Sequence, residues 1–103
     1  MKRIILPLLA AALSFAVAPA LAGTVEQDAV RGDCTANLKV PAGTCDCLAA
    51  KAAEMTEGQQ QLLAAMLAHD DARAGPLRAQ LPVEEQMQVT TFHLHQVPAC
   101  AAG

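Results

Sequence analysis

The chain has no tryptophan and no tyrosine, and it has only two phenylalanines among 103 residues. The ring platforms on which nucleobases and sugars stack are therefore missing. Serine occurs once, at Ser14, inside an apolar run near the N-terminus, which leaves no serine nucleophile for a hydrolytic site elsewhere. Basic residues are scarce as well: seven Lys and Arg stand against ten Asp and Glu, a formal charge of −3. An acidic chain without a Lys/Arg cluster does not seek nucleic-acid phosphates, and it has nothing with which to hold an anionic membrane surface. There is no Cys-x-x-Cys-His haem motif and no glycine-rich phosphate loop. Together these absences predict a protein that is not an enzyme and carries no cofactor.

What is present begins with a leader. Lys2 and Arg3 precede an apolar run over residues 4–17, and Ala20-Leu21-Ala22 is a small-x-small triplet of the kind signal peptidase accepts. Pro7 and Pro19, and the lack of a basic cluster after the run, argue against a membrane span. The expected organisation is a signal peptide over 1–22, an irregular arm over 23–43 and a helical domain over 44–103. Cleavage after Ala22 leaves 81 of the 103 residues, with five bases, ten acids and a charge of −5. No cysteine follows the triplet, so no lipid anchor and no stable membrane anchor is expected after cleavage. The short leader points to a bacterial protein, periplasmic or secreted.

A domain of this length buries only about 60–65% of its unfolded surface and is marginal unaided. Four cysteines, Cys34, Cys45, Cys47 and Cys100, supply the aid, because an oxidising compartment lets disulfides persist.

Helical patterning runs through the rest. Thr44 reads as an N-cap with Asp46 in the first turn, and Cys45, Leu48, Ala52 and Met55 fall on one stripe, giving a helix over 44–55. Thr56 and Gln59 have capping-box spacing, and Leu62, Leu63, Met66 and Leu67 give a core-facing helix over 57–72. Gly75 and Pro76 punctuate, with a short helix over 76–80. Pro82 opens a last helix on which Val83, Met87, Thr90, Leu94 and Val97 form a narrow stripe, taken as the core side, and Pro98 closes it. The expected fold is all-α: a small disulfide-stapled bundle of three main helices and one short one. The arm is irregular, with no more than a helical turn at 26–30 and an extended piece around Leu38 and Val40.

On a helix, Cys45 and Cys47 point about 200° apart and cannot readily bond each other. Each therefore takes a distant partner. Because Cys45 shares the assigned core stripe, the expected pairs are Cys45–Cys100 and Cys34–Cys47. Thiol–disulfide exchange at Cys45/Cys47 ranks well behind, since Asp46 opposes a thiolate and no cation is near in sequence.

His69, His93 and His95 invite a metal reading, copper or zinc through His93 and His95. On a strand His-x-His chelates naturally, but on a helix the same two rings diverge. His69-Asp70-Asp71 reads as a fraying helix end, since two acids there oppose the dipole. Phe92, with Val89 beside it, falls on the outer side of the last helix. Either the 23–43 arm, tethered by Cys34, covers it, or the Val89/Phe92 face meets a protein partner or makes a homodimer. The leading functional expectation is thus an exported binding protein.

Overall fold

The computed structural model describes residues 24–103. It holds five helices: α1 Val25–Asn37, α2 Thr44–Ala52, α3 Glu57–Leu67, α4 Asp71–Ala79 and α5 Val83–Ala101. Among the described residues there is no strand. The all-α, disulfide-stapled bundle expected from the sequence is the fold observed.

The first helix replaces the irregular arm. Thr24 caps it with a reciprocal box: the Gln27 amide donates to Thr24 Oγ1 at 3.0 Å and the Thr24 amide to Gln27 Oε1 at 3.0 Å. Glu26 and Asp28 complement the dipole in its first turn. Its buried face is narrow, Val30 and Cys34, four residues apart. The segment reads as polar because so few positions of α1 face inward, yet those two are fully enclosed. The two sheltered side chains and the disulfide, more than mean hydropathy, hold the helix in place.

After Asn37 the chain is extended at Leu38 and turns at Gly43, whose φ of 90° favours glycine. Gly43, and not Thr44, is the N-cap of α2. Thr44 lies inside the helix as a buried first residue, together with Leu48, Ala49 and Ala52. Its β-branched side chain is spent on packing, so capping falls to the backbone.

The centre of the bundle is α3. Its capping box is the one the sequence indicates, with the Gln59 amide donating to Thr56 Oγ1 at 3.2 Å and the Thr56 amide to Gln59 Oε1 at 3.0 Å. Leu62, Leu63, Ala64, Ala65 and Leu67 are all buried, so α3 is enclosed on nearly every side, packing against α1, α4 and α5. Each buried leucine contributes about 1.5–3 kcal/mol relative to an exposed one. Buried Gln59 also donates from Nε2 to the Glu85 carbonyl at 3.1 Å and to Gln88 Oε1 at 2.7 Å, which pins α5 to the start of α3.

α3 ends at Leu67, five residues before the boundary at 72 read from the sequence. His69 adopts a left-handed conformation, φ 56°. The His69 amide donates to the Met66 carbonyl and the Asp70 amide to the Ala65 carbonyl, both at 3.0 Å. This is a Schellman ending with histidine where glycine is usual. Asp70 then caps α4, accepting from the Arg73 amide at 3.1 Å. The acids after His69 therefore start a helix instead of fraying one, and Gly75 and Pro76 lie within α4. The hydrogen bond that Pro76 cannot make to the Ala72 carbonyl is lost on an exposed face of the helix.

α5 likewise runs through the exposed Pro98 to Ala101, carrying Cys100 on its last turn. Its rotation is the largest departure from the sequence reading. Val89 is 0% exposed and Cys100 is buried, whereas Val83, Met87 and Leu94 are 69%, 63% and 65% exposed. Of the stripe assigned to the core, Val83, Met87, Thr90 and Leu94 face outward and only Val97 packs against the core, while the side assigned to solvent faces α2 and α3.

Candidate functional site

All four cysteines are bridged, but not in the expected pairs. Cys34 on α1 bonds Cys45 on α2 across 11 residues of sequence, and Cys47 bonds Cys100 on α5 across 53. Cys45 and Cys47 do point to different helices, as helical geometry requires. The assignment is reversed because the inward stripe of α2 runs through Thr44, Leu48 and Ala52, and the turn at Gly43 brings Cys45 back beside α1. Arg31 on α1 supplies the cation that sequence distance hides: Nε donates to Asp46 Oδ1 at 2.7 Å and Nη1 to Asp28 Oδ1 at 3.0 Å. With Leu38, Val40 and Cys45 it borders a cavity of about 270 Å³ beside the first bridge. Both Arg31 contacts go to carboxylates, so its charge is already engaged, and no cysteine among the described residues is free.

The histidines separate. His93 and His95 diverge on α5, His93 half-buried and His95 exposed. His93 instead lies within electrostatic reach of His69. Burial, and secondarily the charge of His69, lower its pKa below the ordinary histidine value. Two residues apart on one helix, the His93 and His95 rings point away from each other. Among the described residues no group of three or more His, Cys, Asp or Glu side chains converges as a metal site.

The Val89/Phe92 face is not a surface. Val89 is enclosed in the core and Phe92 is half-buried against it. Phe92 is flanked by the end of α2 rather than by the N-terminal segment: it shares a cleft of about 420 Å³ with Lys51, Met55 and Gln96, and Lys51 Nζ donates to Gln96 Oε1 at 2.9 Å. One signal in the sequence indicates this rotation. A disulfide cysteine at the end of a helix faces its neighbours, and stepping back from Cys100 by helical turns reaches Gln96, Phe92 and Val89.

What the rotation leaves outside is a row of apolar side chains on α5: Val83, Met87 and Leu94, with Thr90 exposed between them. Beside the row, Arg78 of α4 joins Val83, Gln86, Met87 and Thr90 around a shallow groove of about 240 Å³. A second cleft, of about 330 Å³, lies between α1, α3 and α4, and is crossed by the Arg73 Nη2–Asp33 Oδ2 ion pair at 2.7 Å. Of these features only the α5 row exposes several large aliphatic side chains together.

Among the described residues no helix is long and apolar enough to cross a membrane. These features define a class: a small all-α protein stapled by two disulfides. No family model matches the chain, and neither a curated protein nor a solved structure shows significant similarity to it.

Proposed function

We propose that this is an exported, non-enzymatic binding protein of the bacterial periplasm, which loses residues 1–22 on export and docks another protein on the outer face of α5. The observation that carries the reading is the exposure of Val83, Met87 and Leu94 on one side of a helix whose opposite side is well packed. Small domains seldom leave aliphatic side chains of this size in a row unless something covers them. Two disulfides support export, since such bonds persist in oxidising compartments.

The test has two parts. N-terminal sequencing of the exported protein should begin at Gly23. A photo-reactive residue placed at Leu94 in living cells should give a discrete protein adduct that Met87→Glu abolishes, while the same probe at Thr35 on α1 gives none. Equal labelling at both positions would remove the basis for the α5 face.

A second reading, binding of copper or zinc, draws on one observation: His93 is held toward its neutral, ligating form close to His69. Calorimetry with each metal at neutral pH, on wild type and His69→Gln, decides it. Identical isotherms for the two proteins would dismiss the site.

A further inference from the structure

We infer that α5 pairs with α5 of a second copy of this chain, antiparallel, about a two-fold axis passing between Thr90 and Thr91. The inference rests on the docking face proposed above and names its occupant.

Val83, Met87, Thr90 and Leu94 advance by four, three and four residues, the spacing of a coiled-coil seam, so the natural complement is a helix with the same spacing. About the midpoint of Thr90 and Thr91, Met87 and Leu94 exchange places, while Thr90 falls opposite Thr91 and Val83 opposite Pro98. Met87 and Leu94 lie equally far from that midpoint, roughly 5 Å along the axis at 1.5 Å per residue. Met87 of each copy therefore meets Leu94 of the other. The short threonines occupy the crossing, where the two backbones approach most closely.

Charge selects both the occupant and its direction. Residues 86–103 contain no Lys, Arg, Asp or Glu. A strongly charged partner would find nothing to pair with along most of α5, whereas a second copy brings an equally uncharged face. Glu84, exposed, flanks the row at its N-terminal end, and His95, exposed, flanks it on the same side toward the C-terminal end. Parallel pairing would put both Glu84 carboxylates at the same end of the seam, with no histidine at their level. Antiparallel pairing sets Glu84 opposite position 97 of the second copy, within a turn of that copy's His95. Arg78 contributes in the same sense: it makes no ion pair among the described residues. Its groove beside Val83 receives the last turn of the second copy's α5 around Pro98, where the helix dipole is negative.

A single-helix seam is smaller than a standard interface, so dissociation is expected on the order of 10 μM. Sedimentation equilibrium of the oxidised, exported protein should give about 1.8 times the monomer mass at about 100 μM, tenfold above that constant, and approach twice that mass at higher concentration. Leu94→Glu should weaken association roughly tenfold or more without changing helicity, since Leu94 is exposed in the monomer. His95→Glu should also weaken it, and adding Glu84→Lys should restore it; that rescue fixes the antiparallel register. Arg78→Ala should weaken it to a lesser degree. A dimer indifferent to Leu94→Glu, or a charge exchange without rescue, overturns the inference. A protein monomeric at every concentration overturns it too. In that case a Leu94 adduct with a different protein in cells leaves the α5 docking face standing, and no adduct at all removes both readings.

Discussion

Val89 and Leu94, five residues apart on α5, lie on opposite sides of the helix: Val89 is sealed in the core and Leu94 is 65% exposed. That relationship sets which face of α5 holds the bundle and which is free. It predicts unequal costs for two similar truncations. Val89→Ala should cost about 2 kcal/mol, the transfer energy of the lost methyls plus a cavity. Leu94→Ala, the larger truncation chemically, should stay within about 0.5 kcal/mol in dilute monomer. Urea midpoints at constant slope measure both, and equal losses would mean that the helix is rotated otherwise.

The all-α class and four of the five helices were legible because their signals are local, whereas α1 was read as an irregular arm. The Thr56–Gln59 box opens α3 where the residues say it should. The same signal at Thr24–Gln27 opens α1, but it is easily passed over in a segment where only Val30 and Cys34 turn inward. Rotation and pairing are tertiary properties, and there local reasoning fails. α5 carries two competing stripes, and the more apolar one faces out. Counting aliphatic residues favours Val83, Met87 and Leu94, whereas the bond at Cys100 dictates the opposite side. Cysteine pairing failed for a related reason, since it was inferred from a core stripe whose centre lies at Thr44 and Leu48 instead of Cys45. His69-Asp70 misleads because the break after α3 uses histidine in the left-handed position, leaving no glycine to mark the boundary.

The two bridges close loops of very different length, 11 and 53 residues apart in sequence. By loop-closure entropy the short one stabilises by about 3 kcal/mol and the long one by about 4 kcal/mol. Removing Cys47 and Cys100 together, as Cys47→Ala/Cys100→Ala, should therefore lower stability more than Cys34→Ala/Cys45→Ala. The first variant also frees α5 from α2, where Lys51 and Gln96 make the other polar contact. Thermal unfolding of the two double variants checks the order, and a larger loss for the Cys34/Cys45 variant would contradict it.

His69 closes the Schellman ending of α3 at φ 56°, a conformation that costs an L-residue about 1 kcal/mol or more. Glycine adopts it freely, though glycine also loses more entropy on folding. His69→Gly should therefore raise stability by about 0.5–1 kcal/mol. His69→Ala gives up the side chain without relieving the backbone and should not stabilise. Denaturant unfolding of the pair separates backbone relief from loss of the imidazole. A gain with alanine as large as with glycine would assign the effect to the side chain.

His93 makes stability depend on pH in a direction fixed by its surroundings. Burial first, and the charge of His69 second, hold its folded pKa below the ordinary value of 6.5. Unfolding exposes the ring and returns its pKa to that value. Above about pH 7 both states are neutral at this position, and the group contributes no pH dependence. As pH falls through 6.5 the unfolded state takes up the proton first, so it is stabilised and the fold loses stability. The loss continues until pH drops below the folded pKa, where both states are charged and the slope flattens. His93→Gln should make the fall in stability between pH 7 and pH 5 shallower, whatever it does to stability at pH 7. His69→Gln should make it shallower by a smaller amount, because it removes only the lesser cause. Urea midpoints at half-unit pH steps for the three proteins test this, and an unchanged slope in His93→Gln would show that His93 does not carry the pH dependence.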